Sequence, residues 1–328
     1  VTLTRPLIMR LSFYCVLEVC IEDPDEPKDP ETPHFIPAYS QKVKASKEFQ
    51  TFQFDHSFVL NSLKSSMEGY VFHNQPLDTD DLLEQTVKLF NSCKTSLELF
   101  DMLHNMRAYD DSTYAHSLNV ALICRRIGKW LKVDAATLDT LTLCGLLHDI
   151  GKLKIPDEIL NKPGKYTDEE FDLVKRHTKF GYELLKTLNI DPHIKKAALL
   201  HHERCDGSGY PLKATQKDLD DFSMVVAIAD VYDAMTAARS YRAPLCPFQV
   251  IERFEQEGLQ KYKPKFILTF LQHIASTYQN NRVLLSNGQS ANIVMLNQQH
   301  LARPIVQLND NSCIDLSTRL DLHIQSIL

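Results

Sequence analysis

Apolar positions recur at helical spacing along most of the chain. After the polar starter "DTDD" at 78–81, Leu82, Leu83, Val87 and Phe90 fall on one face. Leu99, Phe100, Leu103 and Met106 continue that stripe, so the stretch from about 40 to 110 reads as helical. Between 113 and 280 helix signals follow one another with few strand candidates. "TYAHSLNVALICRRIGKWL" places Leu118, Ala121, Cys124 and Leu131 near one side, and "TDEEFDLVKRHTKFGYELLKTL" opens with Thr167 and Glu170 in capping-box spacing.

The two ends break this pattern. Residues 5–21 are rich in β-branched and aromatic side chains suited to one or two strands. In "EDPDEPKDPETPHFIP" the prolines 24, 27, 30 and 33 recur every third residue, the mark of an extended acidic arm. At the other end, Asn287-Gly288 stands between two β-rich runs as a hairpin signal, and "RPIVQL" offers a further strand after Pro304. The expected architecture is mainly α: a helical bundle with a smaller N-terminal region and a short C-terminal β appendage. The expected boundaries are 1–105, 106–280 and 281–328.

Composition narrows the setting. A chain of 328 residues, 44% of them hydrophobic, can bury a large core. A formal net charge of −6 argues against broad attraction to a DNA or RNA polymer or to an anionic membrane, while leaving room for a local basic pocket. The eight cysteines are scattered without a CxxC pair, which favours reduced thiols and a cytoplasmic location. Arg5, Arg10 and Glu18 interrupt the opening residues, and no apolar run approaches the ~20 residues a spanning helix needs, so neither a signal nor a membrane span is expected.

Of thirteen histidines, six lie between 116 and 202: His116, His148, His177, His193, His201 and His202. In "CGLLHDIGK" an apolar helix delivers His148 and Asp149 consecutively. A buried carboxylate beside an imidazole is costly unless both are paired or share a cation. "HSLNVA", "LLHDIGK", "ILNKPGKYTDEEFDLVKRHTKFGYELL", "HHERCDGSGYP" and "IADVYDAMTAARSYR" follow in that order over roughly residues 105 to 275. This set resembles the HD-GYP family of bacterial metal-dependent cyclic di-GMP phosphodiesterases.

The resemblance implies an HD-type bundle with His116, His148, Asp149, His177, His201, His202 and Asp230 as metal ligands. Asp149 would bridge two divalent ions, iron or manganese in the first place, with zinc or nickel also suited to such mixed ligands. A hydroxide formed between them would open cyclic di-GMP to pGpG, GMP or both. By the same resemblance Lys152 would reach a phosphate oxygen, Arg239 and Arg242 would grip the phosphates, and Tyr210 would line the ligand pocket. Gly207 and Gly209 would let backbone approach closely, and Pro211 would stiffen the loop.

One departure bears on metal count. Some members carry a Glu four residues before the first histidine as ligand to a third metal. Here Ser112 stands in that place, with Asp111 one step earlier, and two metals are expected. Plainer roles stand beside these. Lys152 can be a helix-end cation, Arg239 and Arg242 surface residues paired with Asp233, Tyr210 a packing residue, and Trp130 part of the core. His193 matches no ligand position. Two alternatives to catalysis on cyclic di-GMP stay open: a slow or inactive cyclic di-GMP sensor, and an HD phosphohydrolase acting on another nucleotide. The N-terminal region leaves a homodimer contact or a signalling-protein partner open.

Overall fold

The computed structural model describes residues 39–106, 112–162, 164–236 and 245–328. The chain divides into two compact units, Val1–Pro37 and Ala38–Leu328, and all described residues lie in the second. The strands expected within 5–21, the proline-spaced arm, Asp111, Arg239 and Arg242 lie outside the described residues.

The first helices run α1 (Tyr39–Ala45), α2 (Lys47–His73), α3 (Thr79–Ser92) and α4 (Ser96–Met106). Asp78 starts α3 by accepting hydrogen bonds from the backbone N–H groups of Asp80 and Asp81, as the polar starter implies. Leu82, Phe90, Leu99, Phe100, Leu103 and Met106 are buried. Two long central helices follow, α5 (Thr113–Trp130) and α6 (Ala135–Leu147), joined by a short turn. They pack along their lengths through Leu118, Ala121, Cys124, Leu141 and Cys144, all buried. Arg125, itself buried, ties one to the other by donating to Asp139 at 2.8 Å and Thr142 at 3.0 Å.

A 3-10 turn (Ile150–Lys154) and the short α7 (Asp157–Leu160) lead to α8 (Asp168–Lys175), α9 (His177–Leu185), α10 (Pro192–Leu200) and α11 (Asp221–Thr236). The capping box is formed: the Thr167 hydroxyl accepts from the Glu170 N–H, and the Glu170 carboxylate accepts from the Thr167 N–H. Helices α12 (Pro247–Glu257) and α13 (Pro264–Thr277) complete the bundle. Aromatic rings knit it together. Phe100 meets Tyr232 edge-on at 5.5 Å, Tyr232 meets Phe270 at 5.2 Å, and Trp130 reaches Phe100 at 6.0 Å and stacks on His273 at 4.8 Å. Trp130 is therefore a core residue, as expected.

The tail forms a five-stranded antiparallel sheet from β1 (Arg282–Leu285), β2 (Ser290–Met295), β3 (Ile305–Leu308), β4 (Cys313–Asp315) and β5 (Ile324–Ile327), in the order β4-β3-β2-β1-β5. The Asn287-Gly288 hairpin joins β1 to β2 with Val283 opposite Ala291. Arg303 pins the sheet to α12 through Glu252 at 2.7 Å. Among the described residues no helix is long and apolar enough to cross a membrane.

Phe270 has no exposed surface and touches rings from α5, α11 and α12: Trp130, Tyr232 and Phe254. Phe270→Ala is expected to cost about 3–5 kcal/mol of unfolding free energy, read from the midpoint shift in urea denaturation. A loss under about 1 kcal/mol would show that this ring cluster does not anchor the bundle.

Candidate metal centre

Helix ends build the site. α6 is apolar over most of its length and runs out at His148, and Asp149 opens the 3-10 turn behind it. α5 presents His116 in its first turn, α9 begins at His177, and α10 ends on His201 and His202. α11 carries Asp230 and Asp233 one turn apart. All seven residues expected as ligands are thereby brought to one place.

Asp149 stands at the centre. Its Oδ1 faces His177 Nε2 at 3.3 Å and His201 Nε2 at 3.6 Å, while its Oδ2 faces His148 Nε2 at 3.2 Å and His116 Nε2 at 3.6 Å. Two groups of potential donors result, Asp149 with His177, His201 and His202, and Asp149 with His116 and His148. Within each, the donor atoms lie within 4.8 Å of one another. Asp230 closes the open side, its two oxygens 3.0 Å from His116 Nε2 and 3.7 Å from His202 Nδ1.

The backbone decides which nitrogen faces inward. Nδ1 of His148 donates to the Gly145 carbonyl at 2.7 Å, Nδ1 of His177 to Val174 at 2.7 Å, and Nδ1 of His201 to Ala197 at 2.9 Å. A carbonyl can only accept, so each Nδ1 holds the proton and each Nε2 turns a bare lone pair toward Asp149. His177 and His201 then meet Nε2 to Nε2 at 3.3 Å with no proton to share. His148 Nε2 and Asp149 Oδ1 are buried without a hydrogen bond. Converging lone pairs and carboxylates in a dry site are unfavourable on their own and are satisfied together by cations. The donor set, imidazole nitrogen with carboxylate oxygen, fits a first-row transition metal.

Electrostatics point the same way. Burial pushes His177 down to about 3 and lowers His201 and His202 as well, so these three rings are neutral at physiological pH. Burial would raise Asp149, but the neighbouring His148 ring and the Lys152 ammonium outweigh it and hold the carboxyl well below its usual range. Burial likewise opposes ionisation of Asp230, and its hydrogen bond with His116 outweighs that. The Lys152 ammonium lies directly against Asp149 Oδ2. Ser112 has a structural task, since its hydroxyl caps α5 by accepting from the Ala115 N–H at 3.2 Å.

Three residues beyond the expected set organise the site. Asp233 accepts the Nδ1 proton of His116 at 2.8 Å, doing for this ring what carbonyls do for the others. Glu203, 2% exposed, folds the following loop back by accepting from the N–H groups of Leu212 at 2.6 Å and Ala214 at 3.1 Å. Arg204 donates to the carbonyls of Glu203 and His201 at the end of α10. Asp233 was visible as a carboxylate one turn after Asp230, and Glu203 as the acid directly after the histidine pair.

Tyr210 stacks on His202 with ring centroids 4.7 Å apart. Burial, reinforced by Asp230 and Asp149, pushes its phenol well above the ordinary range and keeps it protonated. Gly209 is required by close approach, though the partner is the chain itself. A Cβ there would fall 2.4 Å from Glu203 Cα and 2.5 Å from the His202 carbonyl oxygen. His193 stays outside the cluster, bonded to Asp220 at 2.7 Å and stacked on Phe222.

Two outcomes follow from this geometry. Burial lowers the pKa of His116, but its bonds with Asp230 and Asp233 outweigh that and push it up to about 9 in the metal-free protein. A histidine raised above 6.5 contributes stability that is complete below that value and drains away as pH climbs through 9, worth about 3 kcal/mol here. Chelator-treated protein should therefore melt at progressively lower temperature from pH 6.5 to 9.5, and a flat profile would rule out the doubly paired imidazolium. Asp233→Asn should weaken metal affinity about 10–100-fold with the fold intact, measured by competition with a chromogenic chelator. Unchanged affinity would reduce Asp233 to packing.

The profile of the HD domain family matches residues 81–266. The chain is 34% identical over 183 residues to the 3'3'-cGAMP-specific phosphodiesterase 2 of Vibrio cholerae, covering 55% of this chain and 35% of that one. It is 33% identical over 207 residues to the cyclic di-GMP phosphodiesterase PA4108 of Pseudomonas aeruginosa, covering 63% and 50%. With the cyclic di-GMP phosphodiesterase of Thermotoga maritima it shares 35% identity over 178 residues, covering 53% and 48%. The chain thus spans about half the length, or less, of these curated relatives. With consecutive His148 and Asp149 at the centre of a helical bundle and a family profile spanning more than half its length, the chain belongs to the HD domain family.

Proposed function

We propose that this domain is a metal-dependent phosphodiesterase that hydrolyses cyclic di-GMP to pGpG, GMP or both. One observation carries the reading: a single buried carboxylate, Asp149, turns one oxygen to each of two imidazole groups. That arrangement suits two divalent ions, with His177, His201 and His202 on one side, His116 and His148 on the other, and Asp230 completing the ring. Iron or manganese suits these ligands best, and zinc or nickel can take their place. Ions held there would supply the Lewis acidity that draws charge from a phosphodiester and makes water nucleophilic at neutral pH.

The chain's own groups supply the rest. Water adds to phosphorus, the P–O bond to one ribose breaks, and the protons end on the departing ribose oxygen and in solvent. Lys152, partly exposed and lying against Asp149, offers its ammonium to a non-bridging phosphate oxygen. Tyr210, held protonated by burial, offers an O–H donor beside His202. Arg239 and Arg242 are assigned to the phosphates on sequence alone. With the Ser112 hydroxyl committed to capping α5, two metals are proposed in place of three.

A second substrate has a specific observation behind it. The relatives at nearly equal identity include a 3'3'-cGAMP-specific phosphodiesterase beside those named for cyclic di-GMP. Protein reconstituted with iron or manganese should release linear product from cyclic di-GMP, and Asp149→Asn should lower the rate at least about a thousandfold and strip the bound metal. Fully loaded protein that binds without turnover would favour the sensor. Faster cleavage of 3'3'-cGAMP would reassign the substrate.

A further inference from the structure

We infer that Phe171 is a base-stacking residue, the outer wall against which a purine of the bound nucleotide lies; this rests on the phosphodiesterase reading. Phe171 is 45% exposed, and what sets it apart from other exposed aromatic side chains is its place beside the site. Its ring meets Tyr210 edge-on at 6.5 Å and 76°, and Tyr210 stacks on His202 at 4.7 Å and 28°. A ladder of three rings therefore runs from the metal cluster to solvent, and Phe171 is the outermost rung.

The ring is held in place from the same helix that shapes the cluster. α8 begins at the Thr167–Glu170 capping box, and Lys162 clamps Glu170 at 2.7 Å. Three residues after Phe171, the Val174 carbonyl fixes the tautomer of His177. Phe171 is thus rigidly registered to a cluster histidine, and a ribose is the spacer that separates a phosphate on that cluster from its base. Lys175, paired with Asp172, sets its Nζ over the Phe171 ring 5.0 Å from the centroid, so a base would stack on the opposite face. Stacking on an aromatic face accepts any base, and edge contacts are left to discriminate among purines.

The experiment uses the metal-loaded chain and a cyclic di-GMP analogue with 2-aminopurine in place of one guanine, whose fluorescence falls on stacking. Phe171→Ala should raise KM about ten- to hundredfold, with the loss on KM rather than kcat, and should relieve the quenching seen on binding. Phe171→Trp should restore both. Metal content and melting temperature of Phe171→Ala should match the parent, since an exposed ring contributes little to the fold. If Phe171→Ala keeps the parental KM and quenching while the parent turns over, this inference alone falls. If the parent neither binds nor cleaves the dinucleotide, the phosphodiesterase reading fails first.

Discussion

The structure depends on one ion kept out of water. Asp149 is 1% exposed, and an uncompensated carboxylate so placed would be penalised by several kcal/mol. Within the chain its compensation comes from Lys152 one turn on, and the four imidazoles that reach its two oxygens from different directions are placed to share cations with it. No single helix can supply such an environment, because side chains on one face lie side by side and cannot surround a point. The bundle exists around Asp149 as a set of helix ends converging on it.

That requirement explains two close approaches of the backbone. The Ile150–Lys154 turn must lie against the start of α9 for Asp149 to reach His177, and a Cβ on Gly151 would fall 1.9 Å from the His177 carbonyl oxygen. No residue but glycine fits there without moving the helix. On the far side Gly209 and Glu203 hold the loop after α10 against its own helix end, which sets Tyr210 on His202. The close approaches serve protein-to-protein contact at the site's edge, whereas the sequence suggested that glycines there make room for ligand. A loop pinned by a buried carboxylate shapes a rigid wall, and preorganisation of this kind is what a site for a charged ester needs.

Much of this was legible from residues alone. The seven clustered side chains stood out because "HSLNVA", "LLHDIGK", "HHERCDGSGYP" and "IADVYDAMTAARSYR" follow in the order that resembles the HD-GYP family. The hairpin at Asn287-Gly288 and the Thr167–Glu170 box were equally readable, since both are local interactions between residues near in sequence. What escaped depends on contacts between distant segments. Asp233 reads as a surface partner for arginines until α11 is laid beside α5, where it faces His116 across 117 positions of chain. Glu203 reads as an ordinary acid until its loop folds back. Phe171 reads as a stray apolar residue on a polar helix until Tyr210 arrives beside it from another element.

The tautomer pattern shows how far the backbone itself writes the chemistry. A histidine at i near the end of a helix lies within reach of the carbonyl of i−3 or i−4. His148, His177 and His201 each donate to one, and that bond selects Nδ1 as the protonated nitrogen. His116 cannot do this, because it lies in the first turn of α5, where carbonyls point onward into the helix. It needs a carboxylate instead, and Asp233 supplies one. A negative partner makes that ring more basic than its neighbours and the one most ready to hold a proton in place of a metal. Helix polarity therefore turns Nε2 of His148, His177 and His201 toward the cluster and leaves His116 as the ring whose occupancy is a contest between proton and cation.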